Sequence, residues 1–229
     1  MTVAASGFSG ERVGELITYY ENYADADAVI TLDVLPDTEK KHEIPVIGLC
    51  SAPGADVILC SECETAIGRL ISGFLASGAK KIGFIGEKHT VQKLSAFREA
   101  LGDRLDPAFV SVTDERFERG GYLAADRLIS SGCLPDALLC AYDYMAYGAM
   151  RRIRDEGLDI PTDIFVAGMD NLDESAYYIP SLTSVDMRSG DIAQLAADDL
   201  FRLISGEKAD DVTLSAEIFL RESTGGVVI

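Results

Sequence analysis

Asp170 stands where an apolar run gives way to polar residues. In IPTDIFVAGMDN (Ile160–Asn171) the four residues Ile164 to Ala167 read as a buried strand, and Gly168 and Met169 lead into Asp170 and Asn171. A carboxylate at the point where a buried strand emerges can face a ligand, to whose donors it offers about four lone-pair sites. Asp170 equally fits an Asx turn, or the N-cap of a helix beginning in NLDESAYY. Other reactive side chains are sparse. Cys60 and Cys63 form a C-x-x-C, yet redox or zinc chemistry needs a second ligand pair or a thioredoxin-like setting, and only His42 and His89 could add imidazoles. The chain has no G-x-G-x-x-G, P-loop or G-x-S-x-G. The half-loop GFSG (Gly7–Gly10) reads as a strand-to-helix turn. We therefore expect no catalytic residues, no metal and no cofactor.

Composition narrows the partners. The chain has 229 residues, 48% of them hydrophobic and 25% charged, enough for one large core or two small lobes. Its formal net charge of −18 opposes phosphate backbones, so the chain alone should be repelled by nucleic acid. Five cysteines, an odd number, suit free thiols in a reducing cytosol better than a disulfide frame. No apolar run reaches membrane-spanning length, and MTVAASGFSGERVGEL has no basic region ahead of a long apolar one. These features predict a cytoplasmic protein without a membrane partner.

The elements that would position Asp170 follow a repeating plan. Apolar runs at Val3–Ala5, Ala28–Leu32, Pro45–Leu49, Val57–Leu59, Ile82–Ile85, Ala137–Cys140 and Ile164–Ala167 predict strands. Between them lie helical periodicities: Val13, Leu16, Ile17 and Tyr20 share one face, as do Ile67, Leu70, Ile71, Phe74 and Leu75. RGGYLAADRLISSG and DYMAYGAMRRIRDEG repeat the pattern and end in glycine, a common helix stop. Apolar strands alternating with helices predict an α/β fold with parallel sheets covered on both faces, whose ligands sit at the carboxyl ends of the strands. After Asp170 come a proline turn, a short strand at Leu182–Val185, a long amphipathic helix, and a last alternating strand in TLSAEIFLRES.

GLDIPTDIFVAGMDNLDESAYYIPSLTSVDMRSGDIAQLAADDLFRLISGE, together with ADAVITL, IPVIGL, LASGAKKIGFIG, LLCAYDYMAYGAM and the closing IFLRESTGG, resembles the effector-binding core of the LacI/GalR family of bacterial transcription regulators. The resemblance implies a periplasmic-binding-protein-like fold of two doubly wound parallel-sheet lobes, joined by three crossovers and facing each other across a cleft. One lobe would comprise residues 1–86 and 187–206, the other 87–186 and 207–229. The family's small-molecule effector, commonly a sugar or related metabolite, is held between the lobes and alters operator affinity.

On that resemblance Asp170 matches the family's ligand-binding aspartate. Lys93 takes the place of the usual arginine, keeping its charge but losing the bidentate fork. Cys50 stands where many members carry an aspartate. Tyr142 could stack on a ligand ring, while Asp143 either joins the site or caps the next helix. Arg116 and Phe117 are candidates for the rim, His89 lies in the loop after IGFIG, and Ser6 follows the first apolar run.

Two family parts have no counterpart in these residues: the helix-turn-helix headpiece and the first strand–helix unit of the first lobe. The resemblance thus implies a homodimeric, sugar-responsive regulator core that meets operator DNA only through a headpiece absent from this chain. The alternative is a sugar-binding protein of a transport system, which shares the fold but should carry an export signal.

Overall fold

The computed structural model describes residues 1–32, 35, 42–49, 52 and 54–229; Cys50 lies outside them. The chain forms two compact units, Met1–Ser61 with Arg188–Leu214, and Glu62–Met187 with Ser215–Ile229, and passes between them three times.

In the first unit, helix α1 (Gly10–Tyr23) starts at Ser9, whose Oγ accepts from the Arg12 backbone N–H, and buries Val13 and Ile17. Strands β1 (Val29–Thr31), β2 (Val46–Leu49) and β3 (Val57–Glu62) pair in parallel. Alternation along β2 sends its side chains to opposite faces. Val46 joins Val13 and Ile17, whereas Ile47 joins Val57, Leu59, Ile192 and Ala196. The last two belong to helix α6 (Ser189–Ile204), so helices cover both sheet faces. Among the described residues β1 is an end strand of the order β1-β2-β3-β9, where β9 is Val212–Ser215. The expected strand at Val3–Ala5 does not form: these residues pair with no strand among those described, and Val3 is 84% exposed. A lone extended segment has no ladder to satisfy its backbone and no face to bury.

The second unit is built on six strands in the order β10-β8-β7-β6-β4-β5. They are β4 (Ile82–Glu87), β5 (Val110–Thr113), β6 (Ala137–Cys140), β7 (Phe165–Met169), β8 (Thr183–Asp186) and β10 (Glu217–Phe219). All pairings are parallel except β10 with β8. Helices α2 (Glu64–Ala76), α3 (Val91–Leu101), α4 (Phe117–Ser130) and α5 (Asp143–Asp155) supply the apolar cover. β4 is buried throughout, as expected of an interior parallel strand. Close contact of α4 with α5 depends on glycine: a Cβ on Gly148 would strike the Glu118 carbonyl oxygen, and one on Gly121 the Met145 carbonyl oxygen.

Two expectations about organisation differ from this architecture. The first unit ends at Ser61 instead of residue 86, because β4 pairs with β5 and β6 and Phe74 of α2 stacks on Phe165 at 6.1 Å. The final alternating run is not one strand: it divides at Ala216 into β9 and β10, one in each sheet. No helix among the described residues is long and apolar enough to cross a membrane.

Candidate functional site

The chain leaves β4 toward β5 on one side and returns to β6 on the other. Strand order reverses between β4 and β6, and open parallel sheets leave a crevice there at the carboxyl ends. Ile85 pairs with Cys140, and Leu139 with Ala167. Carrying that register forward brings Glu87, Tyr142 and Asp170 level on adjacent strand ends, about 5 Å from one to the next. Glu87 pairs with Thr113 on its other side.

Lys93 reaches this row from α3. It lies one turn before Phe97, which is fully buried and packs 5.2 Å from Phe84, so the sheet-facing side of α3 carries the ammonium over the strand ends. Lys93 Nζ donates to the Ala141 carbonyl at 2.7 Å and to Asp170 Oδ1 at 3.2 Å. One cation therefore joins the end of β6 to the end of β7, one strand away from the crevice. The Asp170 side chain remains 37% exposed. Burial raises its pKa above the ordinary carboxylate range, and the Lys93 charge opposes that shift.

Asp170 and Asn171 both occupy positive φ, at 100° and 49°, which side-chain-bearing residues rarely adopt. A polar network holds this turn. Asn171 N–H donates to Ser184 Oγ at 3.0 Å, and Arg221 Nη2 donates to Asn171 Oδ1 at 2.6 Å. Beneath it Asp143, fully buried, accepts from Leu172 N–H (2.9 Å), Ser175 Oγ (2.6 Å) and Ser184 Oγ (2.6 Å). Burial raises the Asp143 pKa, and the Ser175, Ser184 and Leu172 donors pull it back. Asp143 thus neither lines the surface nor serves as an N-cap. It sits in the first turn of α5 after Tyr142 and pins the loop that carries Asp170.

The other flank is aromatic. Phe117 opens α4 at φ 57°, and its backbone N–H donates to Tyr142 Oη at 3.0 Å. The Phe117 ring, 48% exposed, meets Tyr142 and Tyr144 edge-on at 6.1 and 5.9 Å. The Arg116 guanidinium lies 5.0 Å from the Phe117 ring centre. Arg116 Nε is 3.6 Å from Glu87 Oε1, and Glu87 Oε2 accepts the His89 backbone N–H at 2.9 Å. Burial pushes the Tyr142 hydroxyl pKa upward. Further along α5, Tyr147 Oη is 2.6 Å from Ser175 Oγ, and its ring stacks on Tyr178 at 4.3 Å.

The structure therefore gathers Asp170, Lys93, Tyr142, Arg116 and Phe117 at one set of strand ends. His89 is exposed on the turn after β4 and supplies its backbone amide. Ser6 belongs to the first unit, where its Oγ accepts from Phe8 N–H. Cys60, Cys63, Cys133 and Cys140 are free, and burial raises Cys63 to about 11 and Cys140 well above the usual thiol range. No cluster of metal-ligating residues occurs among the described residues. Glu87 was not expected in the site. It follows the apolar run IGFIG much as Asp170 follows IFVAGM, and the same rule identifies it.

Residues 71–224 match the family described as the periplasmic binding protein-like domain. The HTH-type transcriptional repressor MelR of Bacillus subtilis is 24% identical over 222 residues, covering 89% of this chain and 64% of that protein. The ribose operon repressor of Haemophilus influenzae is 30% identical over 168 residues, covering 67% of this chain and 50% of that protein. The chain thus spans less than two thirds of these relatives' length. A LacI-family putative transcriptional regulator from Sanguibacter keddieii superposes with a TM-score of 0.82 at 25% identity, covering 98% of this chain and 87% of the other. The transcription regulator GntR of Chromobacterium violaceum gives 0.84 at 25% identity, covering 99% and 88%. With its parallel sheets and these matches, the chain belongs to the periplasmic binding protein-like family, as an effector-binding core of the LacI/GalR type.

Proposed function

We propose that the row Glu87–Tyr142–Asp170, with Lys93, Arg116 and Phe117, binds a small hydroxyl-bearing effector, a sugar or related metabolite. The single observation that carries this assignment is the Lys93 ammonium bridging the Ala141 carbonyl and the part-exposed Asp170 carboxylate on the strand ends beside the switch point of the sheet. Asp170 presents acceptors, Lys93 presents donors, and the exposed Phe117 ring offers an apolar face. Such a set suits a ring with hydroxyl edges and C–H faces. One relative's name, ribose operon repressor, points to the same chemical class.

The role we assign these groups is binding, with Asp170 and Lys93 as the ligand's hydrogen-bond partners. Within the whole regulator, a cytoplasmic homodimer, effector occupancy tunes affinity for operator DNA. The test is a thermal-shift screen of sugars and related metabolites, followed by calorimetric titration of the hit against Asp170→Ala and Lys93→Met. Weakened binding by both variants supports the assignment, and unchanged affinity in both refutes it.

A further inference from the structure

We propose that Glu87 sets the charge selectivity of this site: by holding Arg116 it denies an anion its cationic partner, so that the effector is an uncharged, hydroxyl-bearing molecule and not its carboxylated or phosphorylated counterpart. This rests on the Lys93–Asp170 row being the effector site.

Glu87 ends β4, an interior strand of the sheet, and its side chain is 1% exposed. A carboxylate so deeply buried needs both a charge partner and hydrogen bonds. Arg116 supplies the charge at 3.6 Å, and the His89 backbone N–H supplies a hydrogen bond at 2.9 Å. The Arg116 side chain is 41% exposed, so its guanidinium is within reach of solvent and of a ligand seated on Phe117.

An exposed arginine beside an aromatic ring would by itself be a good anion site, because its fork matches carboxylate and phosphate. Glu87 cancels that property. Lys93 is cancelled in the same way by Asp170. Two cations thus face two acids along the row, and Asp143 adds a further acid beneath it, its oxygens already accepting from Leu172, Ser175 and Ser184. Within the row an incoming anion gains no net cation and meets carboxylates on the strands either side of β6. A neutral polyol meets donors and acceptors in balance.

The experiment uses the full chain and inorganic phosphate as the probe, so no knowledge of the effector is needed. Phosphate is titrated at low ionic strength into the unmodified protein, Glu87→Gln, and Glu87→Gln with Arg116→Gln, followed by calorimetry and thermal shift. Gln preserves the shape of Glu87 and an acceptor for the His89 amide, and far-ultraviolet circular dichroism checks the fold. The expected result is no saturable binding by the unmodified protein, a gain of at least about tenfold in Glu87→Gln, and its loss in the double variant. Equal phosphate binding by the unmodified protein and Glu87→Gln, or a gain that survives loss of Arg116, would overturn the proposal, as would no gain in a folded Glu87→Gln.

A second arm needs only the unmodified protein: a neutral sugar, its uronate and its 6-phosphate are compared. Tighter binding of either anion than of the neutral parent overturns the proposal even if Glu87→Gln does not fold. If no hydroxylated compound binds in a broad screen, the effector-site reading fails instead, and the phosphate arm still reports on Glu87 and Arg116 alone.

Discussion

Asp170 carries two opposed demands. Burial raises its pKa above the ordinary carboxylate range, so in the folded chain ionisation is less favourable than in the unfolded one. The sign follows from linkage: ionised Asp170 costs stability at neutral pH, and the cost disappears as pH falls through its folded pKa. Asp170→Asn should therefore melt at an equal or higher temperature than the parent at neutral pH, and the difference should vanish in acid. Thermal melts at the two pH values check this. The same residue should matter in the opposite sense for binding. Asp170→Ala should weaken the effector by about 1–3 kcal/mol, because ligand donors lose their acceptor; calorimetric titration measures it. At Lys93, Met should weaken binding, whereas Arg retains the charge and changes geometry, so the relative affinities of hydroxyl epimers should shift. Competition titrations with paired epimers would reveal it.

At the scale of elements, the loop after β7 is held from below. Asp143→Ala would leave the Leu172 amide and the Ser175 and Ser184 hydroxyls without their buried acceptor. The expected destabilisation is about 2–4 kcal/mol, read by chemical denaturation, with effector affinity falling in parallel. The thiols also sort by element. Cys63, whose pKa burial raises to about 11, and fully buried Cys140 should resist alkylation in the native state, while part-exposed Cys60 and Cys133 react first. Mass spectrometry of pulse-labelled protein gives the order. Much of this layout is legible in the sequence. β4, β6 and β7 announce themselves as continuous apolar runs, and helices α2, α4 and α5 as one-sided periodicities with glycines just beyond. β5 is not legible, since VSVT is short and half polar. Nor is the burial of Asp143, whose partners lie far along the chain and are brought to it by the sheet. The division at Ala216 is hidden for a related reason: alternation continues unbroken while the strand changes sheets. Asp170 and Lys93 can be proposed from sequence position and family resemblance, but their ion pair follows from strand order.

The whole molecule is strongly acidic, with a net charge of −18 and a sequence pI near 4.4. In a mobility-shift assay with upstream DNA, these 229 residues alone should give no specific complex, because their net charge repels the phosphates. A specific shift would contradict the proposed division of labour within the regulator. Sedimentation velocity should find a dimer. The end strand β1 adds a colloidal consequence. Among the described residues it has a partner on one side only, and Ile30 within it and Leu32 just after it are 44% and 75% exposed. An open edge of this kind is a template for further strands. Mutual repulsion between acidic molecules keeps such edges apart, and that protection is only as long-ranged as the ionic atmosphere allows. Concentrated stocks should therefore cloud when salt is raised or when pH is brought toward the pI, and a single lysine at Ile30 should keep them clear.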